Sequence, residues 1–192
     1  MNKILVVGAS PRKNGNCDLL IEEFVKGAGE SAEVIQLRDL EFSPCIGCEG
    51  CRKTNKCILN DDMTPLYKKI EESKGIFLIS PVHNYNMTAW MKAFVDRMYC
   101  YYNFKEPRPN EWSCILAGEG RKAVLAATAE QNDIKDMGFT IEGMQMAIEA
   151  LGYEVINKIP VLGVFEKGKV AKTKYLSQAQ ASGKLLTESI NF

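Results

Sequence analysis

The chain has 192 residues, of which 46% are hydrophobic and 25% are charged; this length and composition suit one globular domain over residues 1–192 with a sizeable core. Lysine plus arginine and aspartate plus glutamate each number 24, and the resulting zero net charge argues against nucleic acid and anionic membrane surfaces as partners. The sequence has neither a signal-peptide pattern nor an apolar stretch long enough to cross a bilayer, so we expect a cytoplasmic protein.

Short apolar runs alternate with amphipathic stretches along the chain, a pattern typical of βαβ units around a parallel sheet. The predicted strands are Lys3–Gly8, Glu33–Leu37, Gly75–Ser80, Lys122–Thr128 and Glu154–Val161. Runs rich in Val, Ile, Leu and Ala suit strands that are buried on both faces. Pro160 interrupts the last run, which favours an edge position for that strand.

Helices are predicted between these strands from apolar residues at helical spacing. They are Cys17–Lys26 ended by Gly27 and Gly29, a helix with Thr64 as N-cap and Pro65 as its first residue, Thr88–Tyr101, Ile141–Leu151 closed by Gly152, and a C-terminal helix Val170–Ser189. Five β/α repeats predict an α/β fold, a flavodoxin-like three-layer sandwich with a five-stranded parallel sheet in the order 2-1-3-4-5. Ligands bind such sheets outside the carboxyl ends of the strands.

The loop after the first predicted strand has the composition of an anion site. Small residues from Gly8 to Cys17 precede a helix N-terminus, and Ser10, Arg12 and Asn16 add donors that suit a phosphate. The loop is neither a P-loop nor a dinucleotide fingerprint. An ordinary polar loop remains the alternative interpretation.

The loop after the third predicted strand, Ser80 to Met87, combines a proline, amides and an aromatic residue. In a 2-1-3 order it lies beside the first loop, where it could offer a flat apolar surface and hydrogen bonds to a planar heterocycle. His83 is the only histidine, and with no evident partner we expect it to position a ligand rather than to act as a general base.

Four cysteines, Cys45, Cys48, Cys51 and Cys57, form a C-x2-C-x2-C-x5-C motif in a cysteine-rich loop over residues 43–61. Four thiolates at this spacing can hold a [4Fe-4S] cluster or a zinc ion. The first three positions match the bacterial ferredoxin spacing, whereas the fourth gap is longer and Ile58 replaces the proline. Zinc more typically uses two separated C-x2-C pairs. Reactive or disulfide-forming thiols are the third interpretation.

These motifs together resemble the NADPH-dependent FMN reductase superfamily and, within it, the iron-sulfur flavoproteins. The resemblance rests on the Gly8–Asn16 loop, the Pro81–Asn84 loop with Lys92–Arg97 after it, and the cysteines before Asp61-Asp62-Met63, and it covers residues 1 to about 160. It implies an FMN site formed by Ser10, Arg12, Gly15, Asn16, Cys17, Pro81, Val82, His83, Asn84, Tyr85 and Asn86. Ser10, Arg12, Asn16 and Cys17 would hold the phosphate, and Pro81 to Asn86 would lie against the isoalloxazine.

Three positions depart from the pattern of these relatives. Cys17 stands where a threonine is usual, and a thiol is a weaker donor than a hydroxyl. His83 stands where tyrosine is frequent, and Thr128-Ala129-Glu130 lacks the expected double glycine. The details of the ring pocket therefore differ from the family pattern.

The leading functional hypothesis is an FMN-dependent electron-transfer oxidoreductase that passes electrons between FMN and a [4Fe-4S] cluster on the four cysteines, without a catalytic proton-transfer residue. A cluster-free NAD(P)H-dependent FMN or quinone reductase is the first alternative, and a zinc-stapled binding module without turnover is the second. The expected partner is a redox protein or NAD(P)H. We also expect a homodimer or homotetramer in which Tyr99–Phe104 covers the flavin ring of a neighbour.

Overall fold

The computed structural model describes residues 3–190. Its strands are β1 (Lys3–Gly8), β2 (Ala32–Gln36), β3 (Ser73–Pro81), β4 (Tyr102–Phe104), β5 (Trp112–Cys114), β6 (Lys122–Thr128) and β7 (Glu154–Val161). Five of them form a parallel sheet in the order β2-β1-β3-β6-β7, and β4 pairs only with β5. The predicted five-stranded sheet and its order, 2-1-3-4-5 when only the sheet strands are numbered, are confirmed.

Helices cover both faces of the sheet. They are α1 (Asn16–Ala28), α2 (Thr64–Glu72), α3 (Ala89–Arg97), α4 (Thr140–Ala150) and α5 (Tyr175–Ile190). Alternate residues of β1 enter different cores: Ile4 and Val6 pack with α1 and α5, whereas Leu5 and Val7 pack with the other three helices. This arrangement is the predicted three-layer sandwich. Within residues 3–190 no helix has the length and apolarity needed to cross a membrane.

Strand β7 lies at one edge of the sheet, as Pro160 predicted. This proline is paired with Ala127 of β6 on one side only. A proline has no N–H to donate to a second neighbouring strand, so it destabilises a sheet least in an edge strand.

Several helix ends differ from the predicted ones. Helix α3 begins after Thr88, whose hydroxyl caps it by accepting from the N–H of Met91 at 3.2 Å; it ends at Arg97, and residues 98–101 form a 3-10 turn. Helix α5 begins at Tyr175 rather than at Val170, because a separate 3-10 turn occupies residues 169–172. Thr64 is the first residue of α2 rather than its N-cap.

Gly27 lies inside α1 and does not end the helix, so this prediction was wrong. A Cβ on Gly27 would overlap the carbonyl oxygen of Gln180, and a Cβ on Gly183 would overlap the carbonyl oxygen of Phe24. The two glycines let α1 and α5 approach backbone to backbone. Gly27 is therefore a packing residue, and Gly29, with a φ of 70°, follows the last helical residue.

The antiparallel hairpin β4-β5 has no counterpart among the predicted elements. Its rings pack on one another: the centroids of Tyr102 and Trp112 are 5.3 Å apart, and those of Tyr99 and Phe104 are 5.4 Å apart. Such aromatic pairs stabilise a short hairpin that has few backbone bonds. The hairpin extends from the end of α3 toward the cysteine-rich loop.

A buried arginine, Arg121, closes the carboxyl end of α2. Its guanidinium donates to the carbonyl oxygens of Ile70 at 3.1 Å and Glu71 at 2.8 Å, and also to that of Ser73. Helix carbonyls that lack intrahelical partners are satisfied in this way, and the positive charge complements the helix dipole. Glu119 provides the counter-charge at 3.0 Å.

We predict that Arg121→Gln lowers the free energy of unfolding by about 3 kcal/mol, because it removes a charged donor shared by the carbonyl oxygens of Ile70, Glu71 and Ser73. Urea denaturation followed by circular dichroism measures the change. Lys68→Gln, at a side chain that is 81% exposed, is the matched control and should cost less than about 0.5 kcal/mol. Equal unfolding free energies for the two variants would contradict the assigned role.

Candidate functional site

A cavity of about 420 Å³ opens at the carboxyl ends of the sheet strands. Its lining residues are Ser10, Pro11, Arg12, Asn16, Cys17, Pro81, Val82, His83, Asn84, Thr128, Glu130, Val164 and Phe165. Both predicted loops contribute, as the strand order requires. Gly15, Tyr85 and Asn86 were predicted with this site and lie outside the lining.

The β1-α1 loop is held by a buried ion pair. Arg38 contacts both carboxylate oxygens of Asp18, at 2.9 and 3.0 Å, and also donates to the carbonyl oxygen of Ser10 at 3.2 Å. The N–H of Asn14 donates to the same carboxylate at 2.6 Å. Arg38 thus neutralises the one acidic side chain in the first turn of α1, and the free N–H groups of that turn stay available to an anion.

Arg12 and Asn16 are engaged with the segment that follows β7. The Asn16 amide donates to the carbonyl oxygen of Glu166 at 3.0 Å and accepts from the N–H of Val170 at 3.2 Å. Arg12 donates to the carbonyl oxygen of Phe165 at 2.9 Å and lies over its ring at 4.7 Å. Their side chains therefore fasten the segment after β7 against the cavity.

Five lining residues are absent from the predicted set: Pro11, Thr128, Glu130, Val164 and Phe165. Thr128 ends β6 and Glu130 follows it, whereas Val164 and Phe165 follow β7. The rule that ligands lie beyond the carboxyl ends of all strands was the signal that could have found Val164 and Phe165, because no local motif marks these two positions.

The second loop forms a tight turn from His83 to Asn86. These two residues exchange backbone hydrogen bonds of 2.8 and 3.1 Å, and Asn84 and Tyr85 adopt positive φ angles of 47° and 63°. The N–H of Phe139 donates to the carbonyl oxygen of Tyr85 at 2.7 Å. The turn is therefore fixed from the α4 side, and its Tyr85 side chain is 62% exposed.

Cys17 is buried at the base of the cavity. Its Sγ lies 3.4 Å from the hydroxyl oxygen of Thr128. Burial raises the pKa of Cys17 to about 11. The side chain is therefore a neutral thiol near neutral pH, with the small size of the usual threonine but a weaker donor.

The cysteine-rich loop belongs to a stretch, residues 40–63, that contains neither helix nor strand. Cys45, Cys48, Cys51 and Cys57 line one small pocket, which is separate from the larger cavity. Burial, opposed by a backbone hydrogen bond, raises the pKa of the Cys51 thiol, and the other three thiols raise it further. The structure thus brings the four predicted cysteines together. Cys100, 3% exposed, lies against the same pocket.

The donor set of this pocket suits a soft metal centre, because it is dominated by thiols. Among residues 3–190, no three Cys, His, Asp or Glu side chains surround one point closely enough to hold a single metal ion. A structural zinc needs four ligands at about 2.3 Å from one centre. A [4Fe-4S] cubane distributes its thiolates over separate irons and accepts a wider spacing. The pocket therefore supplies the four thiols that either centre would use, and their composition alone does not choose between the two.

A family model described as NADPH-dependent FMN reductase matches residues 2–149. The chain belongs to this family. The superfamily predicted from the three motifs is thus confirmed, and so is the similarity to iron-sulfur flavoproteins, as the following relatives show.

Two curated proteins whose sequences are similar to this chain are iron-sulfur flavoproteins. One, from Methanocaldococcus jannaschii, is 39% identical over 98 residues, which make up 50% of this chain and 51% of the relative. Another, from Archaeoglobus fulgidus, is 36% identical over 104 residues, or 53% of this chain and 47% of the relative. The matches span about half the length of these curated relatives.

Solved structures of other proteins share the fold of this chain. An NAD(P)H:quinone oxidoreductase from Methanothermobacter marburgensis superposes with a TM-score of 0.72 at 19% identity and covers 96% of each chain. A flavone reductase gives a TM-score of 0.72 at 17% identity and covers 98% of this chain and 63% of its own. At such identities the likeness establishes the flavodoxin-like architecture alone.

We predict that Cys17 resists alkylation in the folded, iron-free protein. At pH 8 a buried thiol with a pKa of about 11 is ionised to about 0.1%, whereas only the thiolate reacts. Iodoacetamide should label the exposed Cys45 and Cys48 first, and Cys17 only after urea unfolds the chain. Peptide mass spectrometry over a time course measures the order. Labelling of Cys17 in the native protein at the rate of Cys45 would contradict the assignment.

Proposed function

We propose that this chain is an FMN-dependent electron-transfer oxidoreductase, an iron-sulfur flavoprotein in which electrons pass between FMN and a [4Fe-4S] cluster. One observation carries the proposal: a chain of the FMN reductase family brings four cysteines to one pocket and also has a cavity at the carboxyl ends of its strands. We further propose that residues 1–192 work as one flavodoxin-like unit in the cytoplasm, where reducing conditions keep thiols free.

The FMN phosphate belongs, in this proposal, at the N-terminus of α1. Backbone N–H groups of the first helical turn lack intrahelical partners, Ser10 lines that end of the cavity, and the helix dipole adds to the attraction. Gly15, Asn16 and Cys17 open this turn, with Arg12 just before it. Arg38 removes the repulsion that Asp18 would otherwise exert on a phosphate.

The isoalloxazine belongs against the second loop. Pro81, Val82, His83 and Asn84 line the cavity there, and Tyr85 and Asn86 complete the turn that fixes their backbone. A rigid turn of this kind excludes water and orients a planar ring without supplying a proton. Flavin exchanges one or two electrons and a cubane exchanges one, so the protein's task is to position and to tune the two groups.

A cluster-free NAD(P)H-dependent FMN or quinone reductase is the second candidate. The description of the matching family model supports it, and so does the fold shared with a quinone oxidoreductase. In that case the loop cysteines are thiols without a catalytic metal. The electron donor is NAD(P)H rather than a redox protein.

We predict that protein purified without oxygen contains FMN, together with iron and sulfide in equal amounts. Cys48→Ser should lose most of the iron and keep the FMN, because the loop and the cavity are separate. Iron and sulfide assays and the visible absorption spectrum measure the content. Ser177→Ala, at an exposed position on α5, is the control and should keep both groups.

A yellow protein without iron, even after anaerobic reconstitution, would contradict the cluster. Oxidation of NADPH by that iron-free protein would then establish the reductase alternative. Tightly bound zinc without flavin would instead favour a binding module.

We infer that the protein assembles as a homodimer or homotetramer through the face that carries the β4-β5 hairpin. Trp112 on the hairpin is 53% exposed and Met146 on α4 is 74% exposed, and the two elements adjoin, since Tyr102 and Ala147 line one cavity. Exposed apolar side chains on neighbouring elements mark an association surface. In this arrangement the Tyr99–Phe104 segment covers the flavin ring of a neighbour. A redox partner protein or NAD(P)H reaches the site from the open side.

We predict that Trp112→Lys shifts the assembly to monomers at micromolar concentration, because it places a charge within an apolar contact. Analytical ultracentrifugation measures the mass. Leu185→Lys, at a 42% exposed position on α5, should leave the assembly unchanged. A monomeric wild-type protein would refute the inference.

A further inference from the structure

Arg97 is a fully buried arginine at the end of α3, beside the pocket of the four cysteines. Its side chain is 0% exposed and lines that pocket. The flavin cavity does not include it. A buried guanidinium is stable only when its donors are satisfied, so its partners reveal its role.

The partners of Arg97 are the two ends of the cysteine-rich loop. Its Nη1 donates to the carbonyl oxygen of Ser43 at 2.8 Å and to the carboxylate of Asp61 at 2.7 Å, and its Nη2 donates to the same carboxylate at 3.1 Å. Asp61 in turn accepts from the N–H of Ser43 at 3.2 Å. Ser43 and Asp61 are the first and last residues of the loop, so one side chain joins both ends.

A third partner, Tyr67 of α2, holds the arginine itself. The Arg97 Nε donates to the Tyr67 hydroxyl oxygen at 3.1 Å. The same hydroxyl donates to the backbone carbonyl oxygen of Arg97 at 3.4 Å. Tyr67 therefore fixes the guanidinium from the α2 side.

We propose that Arg97 is a positioning residue for the cysteine site, which closes the loop by joining Ser43 to Asp61 before any metal is present. The closed loop presents the four thiols together, so less conformational entropy is lost when a metal centre is bound. The positioning of the thiols for a cluster rests on the proposed function, whereas the closure of the loop does not.

Limited trypsin digestion of iron-free protein tests the closure. The loop offers Arg52, Lys53 and Lys56 as cleavage sites. We expect Asp61→Asn to be cleaved there about tenfold faster than the wild type, because lost hydrogen bonds to a charged group raise the open population by about that factor. Asp96→Asn removes a carboxylate that contacts Lys92 on the surface of the same helix and should be cleaved at the wild-type rate.

Tyr67→Phe removes only a hydroxyl and serves as the second variant if Asp61→Asn fails to fold, a failure that cleavage throughout the chain would reveal. It should speed cleavage of the loop less than Asp61→Asn does, because Arg97 keeps its contacts with Ser43 and Asp61. Equal cleavage of the wild type and both variants would overturn the proposal.

Anaerobic reconstitution with iron and sulfide tests the positioning of the thiols. Asp61→Asn should take up iron more slowly than the wild type, whereas Asp96→Asn should match the wild type. Equal rates of uptake in Asp61→Asn and the wild type would overturn the positioning role. If the wild type binds no iron, the proposed function fails, and the digestion of the iron-free variants still decides the closure of the loop.

Discussion

The buried hydrogen bonds of Thr88 connect the elements on which the site depends. Its hydroxyl donates to the carbonyl oxygen of Ala9 at 3.1 Å and accepts from the first turn of α3, while its N–H donates to the Ser80 hydroxyl oxygen at 3.0 Å. One residue thus joins the end of β1, the end of β3 and the start of α3. These contacts fix the two loops that form the cavity, and they fix α3 relative to both.

Helix α3 therefore has a defined partner at each end. Thr88 precedes it beside the cavity, and Arg97 ends it beside the cysteine pocket. Nine helical residues at about 1.5 Å each extend over about 13 Å. The same short rigid element sets the position of both candidate redox sites, which is the spatial requirement that an electron-transfer protein has to meet.

The parts that the sequence predicted depend on local patterns, and the missed parts depend on long-range contacts. Strands β1, β6 and β7 begin and end at the predicted residues because dense apolar runs define them. Asn16 accepts a hydrogen bond from the N–H of Val170, 154 positions later in the chain. No local sequence pattern encodes a contact over that separation. The β4-β5 hairpin escaped prediction because each strand has only three residues, and its rings rather than a turn motif hold it together. The cysteine spacing predicted a shared site. It did not predict that Arg97, at the end of α3, closes the loop.

The close contact of α1 and α5 makes one wall of the cavity a single rigid body. Gly27 and Gly183 bring the two backbones together, and Asn16 fastens the segment after β7 to the start of α1. The phosphate end and the β7 side must consequently move as one body. The turn from His83 to Asn86 is also fixed, by its own backbone bonds and by Phe139. Any adjustment of the opening to ligands of different size then falls to exposed side chains at its rim, such as that of His83.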